Sequence, residues 1–435
     1  MAGPRPSPPK PAPVKPFAMG RPNAVLLITG GTHGRLETCD CLKPVPGGLG
    51  RRSGLFASYR AAFGNVTTLD TGDFFWIDAD GIRNRYVLDG YRLAGYDVLC
   101  AGDHELMARR TLLPAELRQN GLRLLATNLD GISSWPAGGG RLLESAAIAR
   151  GGALAIVSYL GPGTLAFVPE AQRDLKLAGV DRLARMIQDL RRQGRAVVLV
   201  AHAEQDELGP LAPLGADLIV QAHTTRSDAD VLKLGSTPMV RVGGGDQVGV
   251  LALRLGRGRI AQMEFRLEPI ITDWPEDARL IELYQAFGRE YQLEALEQRT
   301  GLAVKYESPA ACGRCHERQA RTWRQGPHAR ATAPLARVGR QDDATCLPCH
   351  TGGFGRPGGF DPAAIGRASA AKSATSTALA APSGVTCQDC HRLNLIQGEH
   401  ARGRGRPEEE ACRLCHTPRT SPGFDFAAWR RLAAH

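Results

Sequence analysis

Between residues 23 and 270, short apolar runs alternate with polar and amphipathic stretches. The runs AVLLITG, NVTTLDTG, YDVLCAG, LRLLATN, ALAIVSYL, AVVLVAH, ADLIVQAH and GVLALRL end in small or polar residues, as strands buried on both faces do. Between several of them lie segments such as DRLARMIQDLRRQG, apolar at helical spacing and closed by a glycine. The pattern predicts an α/β domain whose strand-end loops carry polar groups. Residues 273–300 read as an amphipathic helical connector, with Leu280, Leu283, Tyr284 and Phe287 on one face, suited to docking or to core packing. After residue 301 the apolar runs stop, and Gly- and Ala-rich connections such as residues 351–384 separate short segments expected to be mainly α-helical.

Composition bounds the rest. A chain of 435 residues exceeds one ordinary core, and no run of eighteen apolar residues suits a membrane helix. The expected divisions are a Pro-rich tether over 1–22, an α/β domain over 23–270, the connector over 271–300 and a second domain over 301–435. The formal charge of +10 comes largely from scattered arginines without interleaved aromatics, which fits docking of redox partner proteins and not nucleic acid. The opening MAGPRPSPPKPAPVKP carries no apolar signal core; such a stretch would suit a spacer from a membrane anchor.

Eight of the eleven cysteines fall into one repeated pattern. It reads Cys312-Gly-Arg-Cys315-His316, Cys346-Leu-Pro-Cys349-His350, Cys387-Gln-Asp-Cys390-His391 and Cys412-Arg-Leu-Cys415-His416. Two thiols three residues apart can each bond one vinyl group of a porphyrin while the adjacent imidazole reaches the iron. Zinc sites built from paired CxxC segments have no need of a histidine after every second cysteine. The spacing therefore predicts four covalent haem c groups, and with them export from the cytoplasm. With so little apolar sequence, the porphyrins would serve as this domain's core. His328, His400 and His435 are the other histidines after residue 301, hence the candidates for sixth ligands. No methionine follows Met263, so thioether ligation from this domain is excluded and low potentials are expected. Three such histidines for four irons leave one iron open to a small ligand, bound by a lysine or by a histidine of the other domain, or covered by an apolar side chain.

The stretches CGRCHERQARTWRQGPHARA, CLPCHTGGFG, GVTCQDCHRLNLIQGEH and ACRLCHTPRTSPGFDFAAWRRLAAH resemble the tetrahaem electron-transfer cytochrome c family of ammonia-oxidising bacteria. The resemblance, over residues 306–435, implies bis-His coordination of three haems through His328, His400 and His435 and one five-coordinate haem, expected on Cys346 and Cys349.

The other histidines cluster differently. His33, His104, His202 and His223 each stand in a loop after an apolar strand, as do Asp73 and Asp103. A lone histidine is usually a satisfied polar residue; four at equivalent positions with two carboxylates form a metal-site pattern. TGGTHGRLE, TLDTGDFF, AGDHEL, VLVAHAEQDE and VQAHTT, in that order, resemble the motifs of the 5'-nucleotidase family of metallophosphoesterases. The resemblance implies a β-sandwich flanked by helices, with His33, Asp73, Asp103, His202 and His223 as metal ligands. It also implies that His104, beside Glu105, steadies the leaving group in catalysis. Gly31 stands where the family has its first Asp, Thr225 where it has its last His, and Asp103 where it has Asn. A single divalent ion (Mn, Fe or Zn) is therefore expected in place of two.

Cys39 and Cys41 follow the first of these loops; they are candidate catalytic thiols, as a strained redox pair or as thiolate ligands, or are incidental. Cys100 reads as core, and the Gly-rich GGGDQVG, which leads into a strand, reads as a tight turn. Hydrolysis transfers no electrons, so the union of the two halves favours electron transfer coupled to redox chemistry at the metal and cysteine site, on a small anionic substrate. A nucleotide hydrolase with an attached cytochrome, and an electron carrier with a non-catalytic scaffold, are the two alternatives.

Overall fold

In the computed structural model the described residues are 7–37, 48–76, 81–108, 122, 124–130, 143–144, 146–168, 175–224, 227–271, 273–298, 306–341, 343, 346–356, 358–361, 384–391, 409, 412, 415–416, 421 and 423–433. The chain divides into two compact units, Met1–Gln285 and Ala286–His435. The division falls inside the helix Ala278–Gln298, where a separate connector was expected.

The first unit is a sandwich of two sheets. One runs in the order Arg259–Pro269, Gln247–Gly256, Ala24–Thr29, Val66–Asp70, Val98–Cys100, Leu124–Leu125, Leu143–Glu144. The other runs Leu232–Leu234, Thr237–Arg241, Leu218–Ala222, Ala196–His202, Leu154–Leu160, Ala147–Ile148. The central strands are parallel and their side chains alternate between two cores. Leu26, Ile28, Val198, Val200 and Val220 meet between the sheets. Val197, Leu199 and Ile219 turn outward onto Leu183, Ile187 and Leu190 of the helix Val180–Arg192. Leu49–Ala62 and Gly81–Ala94 are helices whose Leu55, Phe56, Tyr59, Leu88 and Tyr91 are fully buried. At about 25 cal/mol per Å² of apolar surface removed from water, these cores dominate the stability of the unit.

Part of the Pro-rich start lies on the domain. Phe17 and Met19 are buried, the Arg266 guanidinium lies 4.3 Å from the Phe17 ring centroid, and the Ala12 amide donates to Ser58 Oγ at 2.8 Å. Arg266 also donates to the Lys15 carbonyl at 2.9 Å. Two apolar side chains within the proline stretch are enough to seat it on the domain.

The register places the loops. His202 pairs with Ala222 in parallel strands, so His202 and His223 emerge side by side. Asp70 pairs with Leu99, which brings the loops holding Asp73 and Asp103 together at the same end of the other sheet. Ligands of α/β sheets collect at these carboxyl ends.

In the second unit the described helices are short, among them Pro309–Gly313, Glu317–Gln325, Ala333–Arg337, Leu347–His350, Cys387–His391 and Phe426–Ala433. Beyond the long helix, the buried apolar residues among those described are Ala320, Leu335, Leu347 and Phe360. Among the described residues that is a small core.

Candidate metal centre and haem motifs

Four side chains from both sheets converge: Asp73, Asp103, His202 and His223 offer ligand atoms all within 4.8 Å of one another. His202 Nε2 lies 3.4 Å from Asp73 Oδ2 and 3.2 Å from Asp103 Oδ1. His223 Nδ1 lies 3.5 Å and 3.3 Å from the same two oxygens and 3.1 Å from His202 Nε2. Donors about 2.0–2.2 Å from a shared cation stand about 3.3–3.6 Å apart in a tetrahedron and about 2.8–3.1 Å apart as octahedral neighbours. The same four atoms recur in these five separations, which lie between those limits. The donor set therefore fits one divalent cation.

The surroundings carry the same message. Burial acts to raise the Asp103 pKa, but hydrogen bonds from His202 and His223 override it and hold the carboxyl well below its usual range. His223 is pushed up to about 10 by hydrogen bonds to Asp103 and Asp73. Burial acts to lower His202, and the charges of Asp73 and Asp103 outweigh it and raise it. The two carboxylates thus favour positive charge at this place. The glycines make room: a Cβ on Gly72 would lie 2.9 Å from His202 Nδ1, and one on Gly102 would lie 2.5 Å from Asp73 Oδ1.

The loops are strained and clamped. Asp73 (φ 58°), His223 (φ 54°) and His33 (φ 49°) occupy the left-handed region, at a cost of about 1–2 kcal/mol each. Glu105, fully buried, holds the Asp73 loop in place. Its carboxylate accepts the backbone N–H groups of Asp73 (2.9 Å), Phe74 (3.0 Å), Phe75 (2.9 Å) and Gly102 (2.9 Å). Burial, then the Asp73 charge, acts to raise the Glu105 pKa, opposed by the backbone donors of Phe75, Gly102 and Asp73.

His33 stands outside the four-donor group. Its Nδ1 lies 3.5 Å from Nδ1 of His104, and the two ring centroids are 4.7 Å apart. Burial, then the neighbouring His104, lowers His33 to about 4. His104 lies at the rim of the cluster, with its backbone N–H 3.4 Å from Asp73 Oδ1 and its Nδ1 2.8 Å from the Phe75 carbonyl. Gly31 adopts φ 62° and brings no donor side chain. Cys39, Cys41 and Thr225 lie outside the described residues.

The second unit shapes its motifs as helical turns. The His316 and Cys315 amides donate to the Cys312 carbonyl at 3.0 and 3.3 Å, and those of His416 and Cys415 to the Cys412 carbonyl at 2.8 and 3.2 Å. Cys349 N–H reaches Cys346 O at 3.2 Å, and Cys387–His391 is itself a helix. The i, i+3 spacing puts the two thiols of a motif on one side of its turn. His350 Nδ1 lies 2.5 Å from the Ala331 carbonyl and His416 Nδ1 lies 2.8 Å from Ser421 Oγ, which leaves Nε2 of each ring for an iron. These turns fit covalent haem. His328 and His416 have ring centroids 6.1 Å apart; His400 and His435 lie outside the described residues.

Sequence reasoning leaves three residues without a role. Glu105 stands there only as the neighbour of His104, although AGDHEL displays it. Glu204, in VLVAHAEQDE, lies 3.3 Å from His223 Nε2. Asp389, inside the third motif, accepts from Tyr306 Oη (2.9 Å), Gly353 N (3.1 Å) and Thr386 Oγ1 (2.8 Å), and so ties that motif to its surroundings. Its signal is an acid between the two cysteines.

The comparisons divide the chain in the same way. The family described as cytochrome c554 and c-prime matches residues 311–392, a span that holds the first three motifs and implies haem c. No curated protein matches the chain. Among solved structures, the sulfate thiohydrolase SoxB of Thermus thermophilus shares 21% identity at a TM-score of 0.54, over 65% of this chain and 62% of that one. A 5'-nucleotidase precursor, also from Thermus thermophilus, shares 20% at 0.52, over 63% and 60%. The NAD nucleotidase of Haemophilus influenzae shares 15% at 0.50, over 61% and 60%. The chain thus spans about three fifths of each of these structures. At such identities the likeness establishes a metallophosphoesterase-type fold for the α/β part and nothing of its activity. No helix among the described residues is long and apolar enough to cross a membrane.

Proposed function

We propose that this chain is an extracytoplasmic electron-transfer protein in which four c-type haems are joined to a metallophosphoesterase-type domain holding one divalent cation. The observation that carries the reading is the fourfold Cys-x-x-Cys-His pattern, three copies of which lie in the span matched by the cytochrome family. The fourth copy, at Cys412, Cys415 and His416, has the same helical turn. Three irons take His328, His400 and His435 as sixth ligands, and the haem on Cys346 and Cys349 is open. Covalent haem attachment takes place outside the cytoplasm, which sets the location. A redox-monitored optical and EPR titration of the purified protein tests this part. Three low-spin haems and one high-spin haem are expected; four low-spin haems would remove the open site.

In the α/β domain Asp73 Oδ2, Asp103 Oδ1, His202 Nε2 and His223 Nδ1 hold the cation, which when bound supplies Lewis acidity toward an oxygen of a small anionic substrate. The domain's own residues do the rest. Glu105 fixes the Asp73 loop, and His104, its Nδ1 engaged with Phe75 O, offers Nε2 to that substrate. A reduced inorganic sulfur oxyanion, the class favoured by the likeness to the thiohydrolase, would be the electron donor here and the haem irons the acceptor. Cys39 and Cys41 are proposed as its thiol partners. Substituting both and finding haem reduction by sulfur oxyanions unchanged would remove them from the scheme.

One observation favours a second reading, metal-dependent hydrolysis: the place of His104 at the rim of the cluster. Nucleotide phosphatase activity with added manganese, lost in His104→Ala, would favour it over redox chemistry.

A further inference from the structure

We infer that Glu204 is a positioning residue for the cation of the α/β domain, holding His223 in the tautomer and rotation that present Nδ1 to it. The inference rests on the metal reading above and adds to it a residue that binds nothing itself. His223 Nδ1 is the atom that approaches Asp73, Asp103 and His202. An imidazole that ligates through Nδ1 must carry its proton on Nε2, and that proton needs an acceptor. Glu204 Oε1, at 3.3 Å from Nε2, is that acceptor.

Glu204 is 57% exposed, and an exposed glutamate is ordinarily free to swing. This one is not. It caps the short helix Gln205–Glu207 through a reciprocal capping box: its side chain accepts the Glu207 backbone N–H, and the Glu207 side chain accepts the Glu204 backbone N–H at 3.0 Å. Glu207 is fixed in turn by the Gly163 amide at 2.6 Å. The other imidazole is held differently. His202, fully buried, presents Nε2 to the cluster and donates Nδ1–H to the Thr71 carbonyl at 3.2 Å. One ligand is thus oriented by a neutral carbonyl and the other by a carboxylate, which steadies a ring whose backbone lies in the left-handed region.

The test uses the full-length, haem-loaded protein. Zn(II) and Mn(II) affinities of wild type, Glu204→Gln and Glu204→Ala are measured by competition with a fluorescent chelator, beside the haem content and the melting temperature of the metal-stripped proteins. Glu204→Ala is expected to weaken binding about ten- to a hundredfold. Glu204→Gln, which keeps a capping oxygen but not the charge, falls between it and wild type at unchanged haem content and metal-free melting. Glu204→Gln at wild-type affinity would reduce Glu204 to a helix cap and overturn the inference, as would both variants binding within twofold of wild type. Wild-type protein that takes up neither ion overturns the metal reading, and the inference with it.

Discussion

Glu105 Oε2 accepts the backbone N–H of Asp73 at 2.9 Å, so a buried carboxylate holds in place the strained residue that offers its own carboxylate to the cluster. Glutamine at position 105 would present one oxygen and one amide group to four backbone donors. Glu105→Gln is therefore expected to lower the unfolding free energy by about 2 kcal/mol or more, because buried N–H groups lose their acceptor. It should also weaken cation binding. Urea unfolding of the metal-stripped protein, beside chelator competition, checks both.

Asp103 receives both His202 and His223, at 3.2 and 3.3 Å. Asp103→Asn keeps the shape and removes the charge. Affinity for Mn(II) is expected to fall by at least about tenfold, the lower end of what loss of a hydrogen bond behind a ligand brings about. Isothermal titration at neutral pH measures it; equal affinity would exclude Asp103 as a charged ligand.

Alkaline stability should depend on Tyr96. Burial pushes its phenol from 10.0 up to about 12, where it stacks on Tyr91 and takes a hydrogen bond from Arg52 at 2.9 Å. Between pH 10 and 12 the unfolded chain has released this proton and the folded chain has kept it. The contribution is whole below pH 10 and is lost as the pH rises toward 12. In Tyr96→Phe the decline of unfolding free energy across that window should be shallower. Denaturant melts from pH 9 to 12 give the slopes.

Ser421 Oγ lies 2.8 Å from His416 Nδ1, and a proximal imidazole that donates to an acceptor gives its iron more electron density. Ser421→Ala should raise the reduction potential of one haem and leave the others in place. A spectroelectrochemical titration of wild type and variant reads the shift.

Much of this is legible in the sequence because the central strands are apolar on both faces. AVVLVAH and ADLIVQAH mark the strands Ala196–His202 and Leu218–Ala222, and their histidines stand where those strands end. The strand Arg259–Pro269 escapes, since RIAQMEFRLEP mixes charged and apolar residues along an edge that is half exposed. LRLLATN keeps only Leu124–Leu125 as strand. At the site, each ligand can be seen alone, but the meeting of Asp73 and Asp103 from one sheet with His202 and His223 from the other depends on how two sheets face each other. Nor does a sequence show that His33 turns to His104, or that an exposed Glu204 is fixed by its own helix cap. In the second unit the motifs are plain because covalent haem demands adjacent residues, whereas sixth ligands come from distant ones.

The most direct test of the account is a metal count on one purified sample of the full chain, combining pyridine haemochrome absorbance with elemental analysis. The account predicts four haem irons and one further divalent ion per chain, with the further ion depleted in Asp103→Asn and the haems retained. Fewer than four haems, or no ion beyond haem iron after incubation with Mn(II) or Zn(II), would contradict it.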